Sequence, residues 1–203
     1  MLVALMVVVP LAVAFVWRRV SLGRLELVTA MTPVLVAAGG LAVLTGRVRV
    51  ATDGWRGAVI AGVIVGVAFW GATRAFVAFA LRFPHFARQV EAIYGQSLAR
   101  SRLLVAILGA AGAVGEELFW RGLFQRRSAV ALSPVGGAIA TWLVYAVANL
   151  PSRSGPIVVA GVVGGLVWGG LALATGDVLA SVCCHGVWTT LMVTLPPVGR
   201  DSR

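Results

Sequence analysis

The sequence predicts an all-α fold: a polytopic transmembrane helix bundle of about seven spans, with one further amphipathic helix lying in the interface. Three observations lead there. Hydrophobic residues make up 60% of the 203-residue chain and charged ones only 12%, against about 25% charged in an ordinary soluble domain. The mean hydropathy is +0.96. The apolar residues also come in long continuous runs, where membrane β-strands would alternate over about ten residues. Too little polar surface exists to cover a soluble globule, so lipid is the solvent for much of the chain. The length suits one compact bundle, a single membrane domain 1–203.

Seven runs approach the roughly 20 apolar residues that a spanning helix needs: 2–17, 25–45, 57–81, 103–119, 134–150, 156–175 and 178–195. Run 2–17 lacks a basic stretch ahead of it, and Arg18-Arg19 follow it. It is read as a spanning helix, not a cleaved signal. Ser133-Pro134 sets up a helix start, with proline in the first turn. Pro151 to Pro156 forms a tight turn, and Gly176-Asp177 ends one helix and caps the next. Short turns of this kind make neighbours antiparallel. Residues 82–102 mix Arg82, His85, Arg88, Glu91, Arg100 and Arg102 with Phe83, Phe86, Ile93 and Tyr94, which suits a helix lying in the interface. Gly161, Gly165 and Gly169 recur every four residues, a bare face that lets another helix come close.

The net charge is +10, and no lysine occurs. The arginines lie mostly between apolar runs, where they meet lipid headgroups, so nucleic acid is not an expected partner. Cys183 and Cys184 are adjacent within an apolar run. They form neither a disulfide framework nor a Cys-His zinc spacing, and are read as small packing residues.

Chemistry concentrates in Gly115-Glu-Glu-Leu-Phe-Trp-Arg121. A carboxylate in hydrocarbon costs about 3 kcal/mol on insertion scales, so such groups face the bundle interior. Glu117 and Arg121 share a helix face at i,i+4 and can pair. Glu116 points about 100° away, with no partner on its own helix. A carboxyl group that can take and return a proton is a general base. A buried ion pair holding the bundle in register explains Glu117 and Arg121 but not Glu116. His185 lies on a separate apolar run, with Thr189 one turn on along the same face. Asn149 ends run 134–150, with Tyr145 one turn earlier; it is either a site residue or a helix C-cap. Arg74, inside an apolar run, either snorkels to the interface or faces the cavity.

In this order the residues resemble the CPBP family, the CAAX-protease and bacteriocin-processing (Abi) intramembrane proteases. That family carries Glu-Glu-x-x-x-Arg, then Phe-x-x-x-His, then His-x-x-x-Asn or Asp, each on its own helix. Glu116, Glu117, Arg121 and His185 match. The second motif reads Tyr145-Ala-Val-Ala-Asn149, with Asn in place of His. The third reads His185-Gly-Val-Trp-Thr189, with Thr in place of Asn or Asp. The resemblance covers roughly residues 103–195 as a catalytic core, after N-terminal helices and the interfacial segment in 1–102.

The resemblance implies an intramembrane endopeptidase acting on a membrane-proximal peptide by glutamate-activated water, in the cell membrane of a prokaryote. Glu116 would be the general base and Asn149 would orient the water. His185 and Thr189 would donate to the oxyanion, while Glu117 and Arg121, with Tyr145 nearby, hold the helix. No cofactor is expected. Zinc is disfavoured, because a catalytic zinc takes three good protein ligands and only His185 is well placed. A relative that binds peptides without cutting them, as a scaffold or immunity partner, is the alternative.

Overall fold

The computed structural model describes residues 2–19, 25–51, 53–94 and 102–197. No strand occurs among them. The helices, in chain order, are α1 (Leu2–Arg19), α2 (Leu25–Leu44), α3 (Trp55–Ala80), α4 (Pro84–Tyr94), α5 (Arg102–Glu117), α6 (Arg126–Ala131), α7 (Pro134–Asn149), α8 (Gly155–Thr175) and α9 (Leu179–Thr194). Five stretches are long and apolar enough to cross a membrane, and two shorter apolar helices, Val28–Leu44 and Leu179–Thr194, accompany them. The chain is a polytopic integral membrane protein.

Local chemistry sets the helix ends. The Ser133 hydroxyl accepts the Gly136 N–H at 2.9 Å, with Pro134 in the first turn of α7. Gly176 closes α8 in the left-handed region at φ 74°, where a side chain would be strained. Asp177 Oδ1 then accepts the Leu179 N–H at 3.0 Å, at the start of α9. Arg74 does not face the cavity. Its guanidinium donates to the Leu195 and Pro196 carbonyls, satisfying the open end of α9.

One boundary differs from the sequence reading. The helix expected over 103–119 runs on to Ala131, through a π-helical stretch Leu118–Gln125 and then α6. Hydropathy hides this, because Arg121, Gln125, Arg126 and Arg127 interrupt the apolar run. All seven residues from Phe119 to Gln125 are nevertheless buried. A helix buried all round belongs to the centre of a bundle, and π geometry widens it there.

Around this central helix, α2 packs on one side and α9 on another, and α3 covers α9. Helices α7 and α8 form an antiparallel pair, and α1 closes the bundle against α2 and α7. Glycine permits the close contacts. A Cβ on Gly115 would fall on the Leu35 carbonyl of α2, and one on Gly66 would stand 2.8 Å from the Cys184 carbonyl. Cys184 is free and buried at the α3–α9 contact, the packing role expected of it. Amphipathic α4 buries Val90 and meets α8, where Gln89 Oε1 accepts the Gly155 N–H at 2.8 Å. The rest of the expected interfacial segment, 95–101, lies outside the described residues.

Candidate active site

Glu116 and Glu117 end α5, directly after the contact that presses Gly115 onto α2. The two carboxylates diverge as helical geometry requires. Glu117 is fully buried, and its Oε1 accepts from Arg121 Nη1 at 3.0 Å, the i,i+4 pair read from sequence. The same oxygen lies 2.9 Å from His185 Nδ1. A carboxylate already accepting from a guanidinium offers only a lone pair, so Nδ1 is the nitrogen carrying hydrogen. His185 Nε2 is thereby turned toward Glu116, 4.0 Å from its Oε2. That distance is too long for a direct hydrogen bond, but one water can contact both atoms. Glu116 finds its neighbours on other helices: His185 of α9, and Tyr145 of α7, which lines the same cavity.

Aromatic rings hold this array. Trp168 of α8 stacks on the His185 imidazole, with centroids 3.6 Å apart and planes at 16°. Gly164 makes room, since a Cβ there would stand 2.5 Å from the Trp168 ring. The Arg121 guanidinium lies over Tyr145 at 4.8 Å and over Trp168 at 5.5 Å, at favourable cation–π range.

The glycine face of α8 serves side chains. Arg121 Nη2 donates to the Gly165 carbonyl at 3.3 Å, and Gln125 Nε2 to the Gly169 carbonyl at 3.1 Å. Asn149 packs against Gly161, where a Cβ would stand 3.4 Å from its amide. The spacing of four thus exposes successive acceptors to the central helix and leaves space beside Asn149. A Cβ on Gly165 would also press on Trp142, at 2.9 Å.

A cavity of about 150 Å³ opens among these helices, room for a few waters. Glu116, Tyr145, Asn149 and His185 supply its polar wall; Trp17, Trp168 and Trp188 are among its apolar ones. The Glu116 side chain keeps 14% of its surface exposed. Glu116, Asn149 and His185 are therefore brought together. Asn149 does not cap α7: its Nδ2 donates to the Tyr145 carbonyl at 2.8 Å, and its Oδ1 accepts the Trp17 indole N–H at 3.1 Å. Thr189 is not brought in. Its methyl lies over Gly109, two turns before Glu116 on α5, because the helical turn from His185 to Thr189 carries it along α5, away from the Glu116 end. Trp188 takes the place on the cavity wall. Sequence reading missed Trp17, Trp168 and Trp188; a large ring set among Gly164, Gly165 and Gly169 is the one signal that could have singled out Trp168.

The donor set does not suit zinc. Glu117 Oε1 is engaged by Arg121 and His185 Nδ1, Asn149 Oδ1 is engaged by Trp17, and His185 is the single imidazole on the cavity. Among the described residues no group of three His, Cys, Asp or Glu is arranged to hold a metal ion, whereas a catalytic zinc takes three protein ligands.

No curated protein and no solved structure matches the chain. Residues 98–191 match the family described as type II CAAX prenyl endopeptidase Rce1-like. That segment holds Glu116, Glu117, Arg121, Tyr145, Asn149 and His185 together, and across it the chain is similar to the Rce1-like family of CAAX prenyl endopeptidases.

Proposed function

We propose that this protein is an intramembrane endopeptidase that hydrolyses a membrane-proximal peptide with water activated by Glu116. The observation that carries the reading is the 4.0 Å separation of Glu116 Oε2 and His185 Nε2 on one polar cavity inside an apolar bundle. A water contacting both atoms would attack the scissile carbonyl carbon as the Glu116 carboxylate takes its proton. The carbonyl oxygen becomes an oxyanion. As an imidazolium, with Nδ1 held on Glu117 and a second proton on Nε2, His185 donates from Nε2 to it, a term worth about 3 kcal/mol per donor in such sites. Glu116 then returns the proton to the amide nitrogen, the C–N bond breaks, and the remaining hydroxyl proton passes to the freed amine, so that a carboxylate and an ammonium leave. Glu117 and Trp168 fix the imidazole, so that neither ring nitrogen must search for its partner.

The substrate class draws support from a second feature. An apolar groove of about 320 Å³ between α3, α4, α8 and α9 shares Ile157, Ala160 and Trp188 with the polar cavity. It would take the apolar part of a membrane-borne substrate while the bond to be cut lies beside Glu116. The seat of the activity is the cell membrane of a prokaryote, and the chemistry proceeds without a bound metal.

The test is cleavage of candidate membrane peptides by the purified chain in lipid nanodiscs, wild type beside Glu116→Gln. The variant is expected to lose at least about 100-fold in rate, the usual scale of a general base, while keeping its fold. Full activity in Glu116→Gln rejects the proposal. A second reading, a scaffold that binds peptides without cutting them, is favoured by one observation: the Asn149 amide is engaged at both ends, so it does no base chemistry. Proteolysis gained only in Asn149→His would favour that reading.

A further inference from the structure

Asn149 is the chain's only asparagine, and its amide is held from both ends. Trp17 Nε1 donates to Oδ1 at 3.1 Å, and Nδ2 donates to the Tyr145 carbonyl at 2.8 Å. An indole nitrogen can only donate and a carbonyl can only accept. The amide therefore cannot flip without breaking both bonds. Among the described residues, one hydrogen on Nδ2 has no partner. Nδ2 lies beside Gly161, where the missing Cβ leaves space, and both residues line the cavity that Glu116 and His185 share. Trp17 lines the same cavity from α1, a helix outside the segment 98–191 that matches the family.

We propose that Trp17 is a positioning residue: its indole N–H sets the Asn149 amide so that the second Nδ2 hydrogen is offered to the scissile carbonyl oxygen of the substrate. The inference rests on the hydrolase reading and deepens it. Asn149 becomes a donor to the oxyanion, not a holder of the attacking water. The recognised group is a peptide carbonyl, and the second donor beside His185 is a neutral amide. A helix from the N-terminal part of the chain completes the site. A mere stitch between α1 and α7 would require nothing of the second amide hydrogen, and this separates the two roles.

The test uses the full chain in nanodiscs with the asparagine side-chain nitrogen isotopically labelled, which yields a single amide pair in the NMR spectrum. Trp17→Phe keeps an aromatic ring and removes the donor. The expected result is that both Asn149 amide resonances move and their difference shrinks. Cleavage should lose about tenfold in kcat with KM nearly unchanged, the scale of one hydrogen bond in a transition state. In an Asn149→Ala background Trp17→Phe should cost nothing more, since coupled residues are not additive. Asn149→Asp retains an acceptor for Trp17 but has no amide donor, and it should be as inactive as Asn149→Ala. Unmoved resonances in Trp17→Phe, an equal loss in both backgrounds, or an active Asn149→Asp would each overturn the inference. Glu116→Gln run alongside keeps the failures apart: cleavage indifferent to Glu116 sinks the hydrolase reading, whereas unmoved amide resonances sink the clamp.

Discussion

Replacing Arg121 by methionine should unfold the bundle more easily than any other single change around the cavity. Arg121 is 2% exposed and its partner Glu117 is 0% exposed. The substitution removes the charge-assisted bond to Glu117 at 3.0 Å, worth about 1.5–3 kcal/mol. It also removes the donor to the Gly165 carbonyl and the stacking over Tyr145 and Trp168, with about 0.5–2 kcal/mol for each ring contact. Methionine restores part of the packing volume but none of the charge. Glu117 is left buried with only His185 to compensate it, and breaking a buried pair from one side costs about 3–5 kcal/mol. The double variant Arg121→Met, Glu117→Gln removes the orphaned charge and should recover about half of that loss. Reversible unfolding in mixed detergent micelles reads both values. A loss below about 1 kcal/mol in the single variant, or a double variant less stable than the single one, would refute the reasoning.

Gly164→Ala places a methyl where the Trp168 ring lies. The ring must tilt away from His185, with a stability loss of about 1–3 kcal/mol; nitrogen NMR of the histidines together with cleavage assays should show His185 altered and kcat reduced, and an unaltered imidazole would contradict the stacking argument. At the turn before α8, Arg153 sits in the left-handed region at φ 53°. Arg153→Val should lower stability by about 1–2 kcal/mol because a β-branched residue resists that region, whereas Arg153→Gly should not; thermal unfolding separates the two.

Part of the site was legible because it is local. The Glu117–Arg121 pair follows from i,i+4 geometry, and the Ser133 cap and the left-handed Gly176 from equally local helix-end chemistry. Divergence of Glu116 from Glu117 follows from the helical angle, and it made Glu116 the group in need of a partner elsewhere. The long helix that continues α5 to Ala131 was read too short for an equally local reason. Hydropathy counts Arg121 and Gln125 as polar, although both bury their heads against carbonyls of α8. Asn149 was read as site residue or cap, and only the approach of Trp17, distant by 132 positions, tells which.

The sequence by itself determined that this chain is a membrane-embedded helix bundle and where most of its helices lie, because burial in lipid is additive along a run of residues and needs no knowledge of neighbours. It also singled out Glu116, Glu117 and His185 as candidates, because ionisable groups in hydrocarbon are costly. The tertiary structure alone decided which groups meet: His185 Nδ1 on Glu117, Trp168 on His185, Trp17 on Asn149, and Thr189 turned to Gly109. Those contacts depend on how far each helix is rotated about its axis. That rotation is set by interhelical packing at Gly115, Gly66 and Gly165, a property of pairs of surfaces that no single run of residues carries.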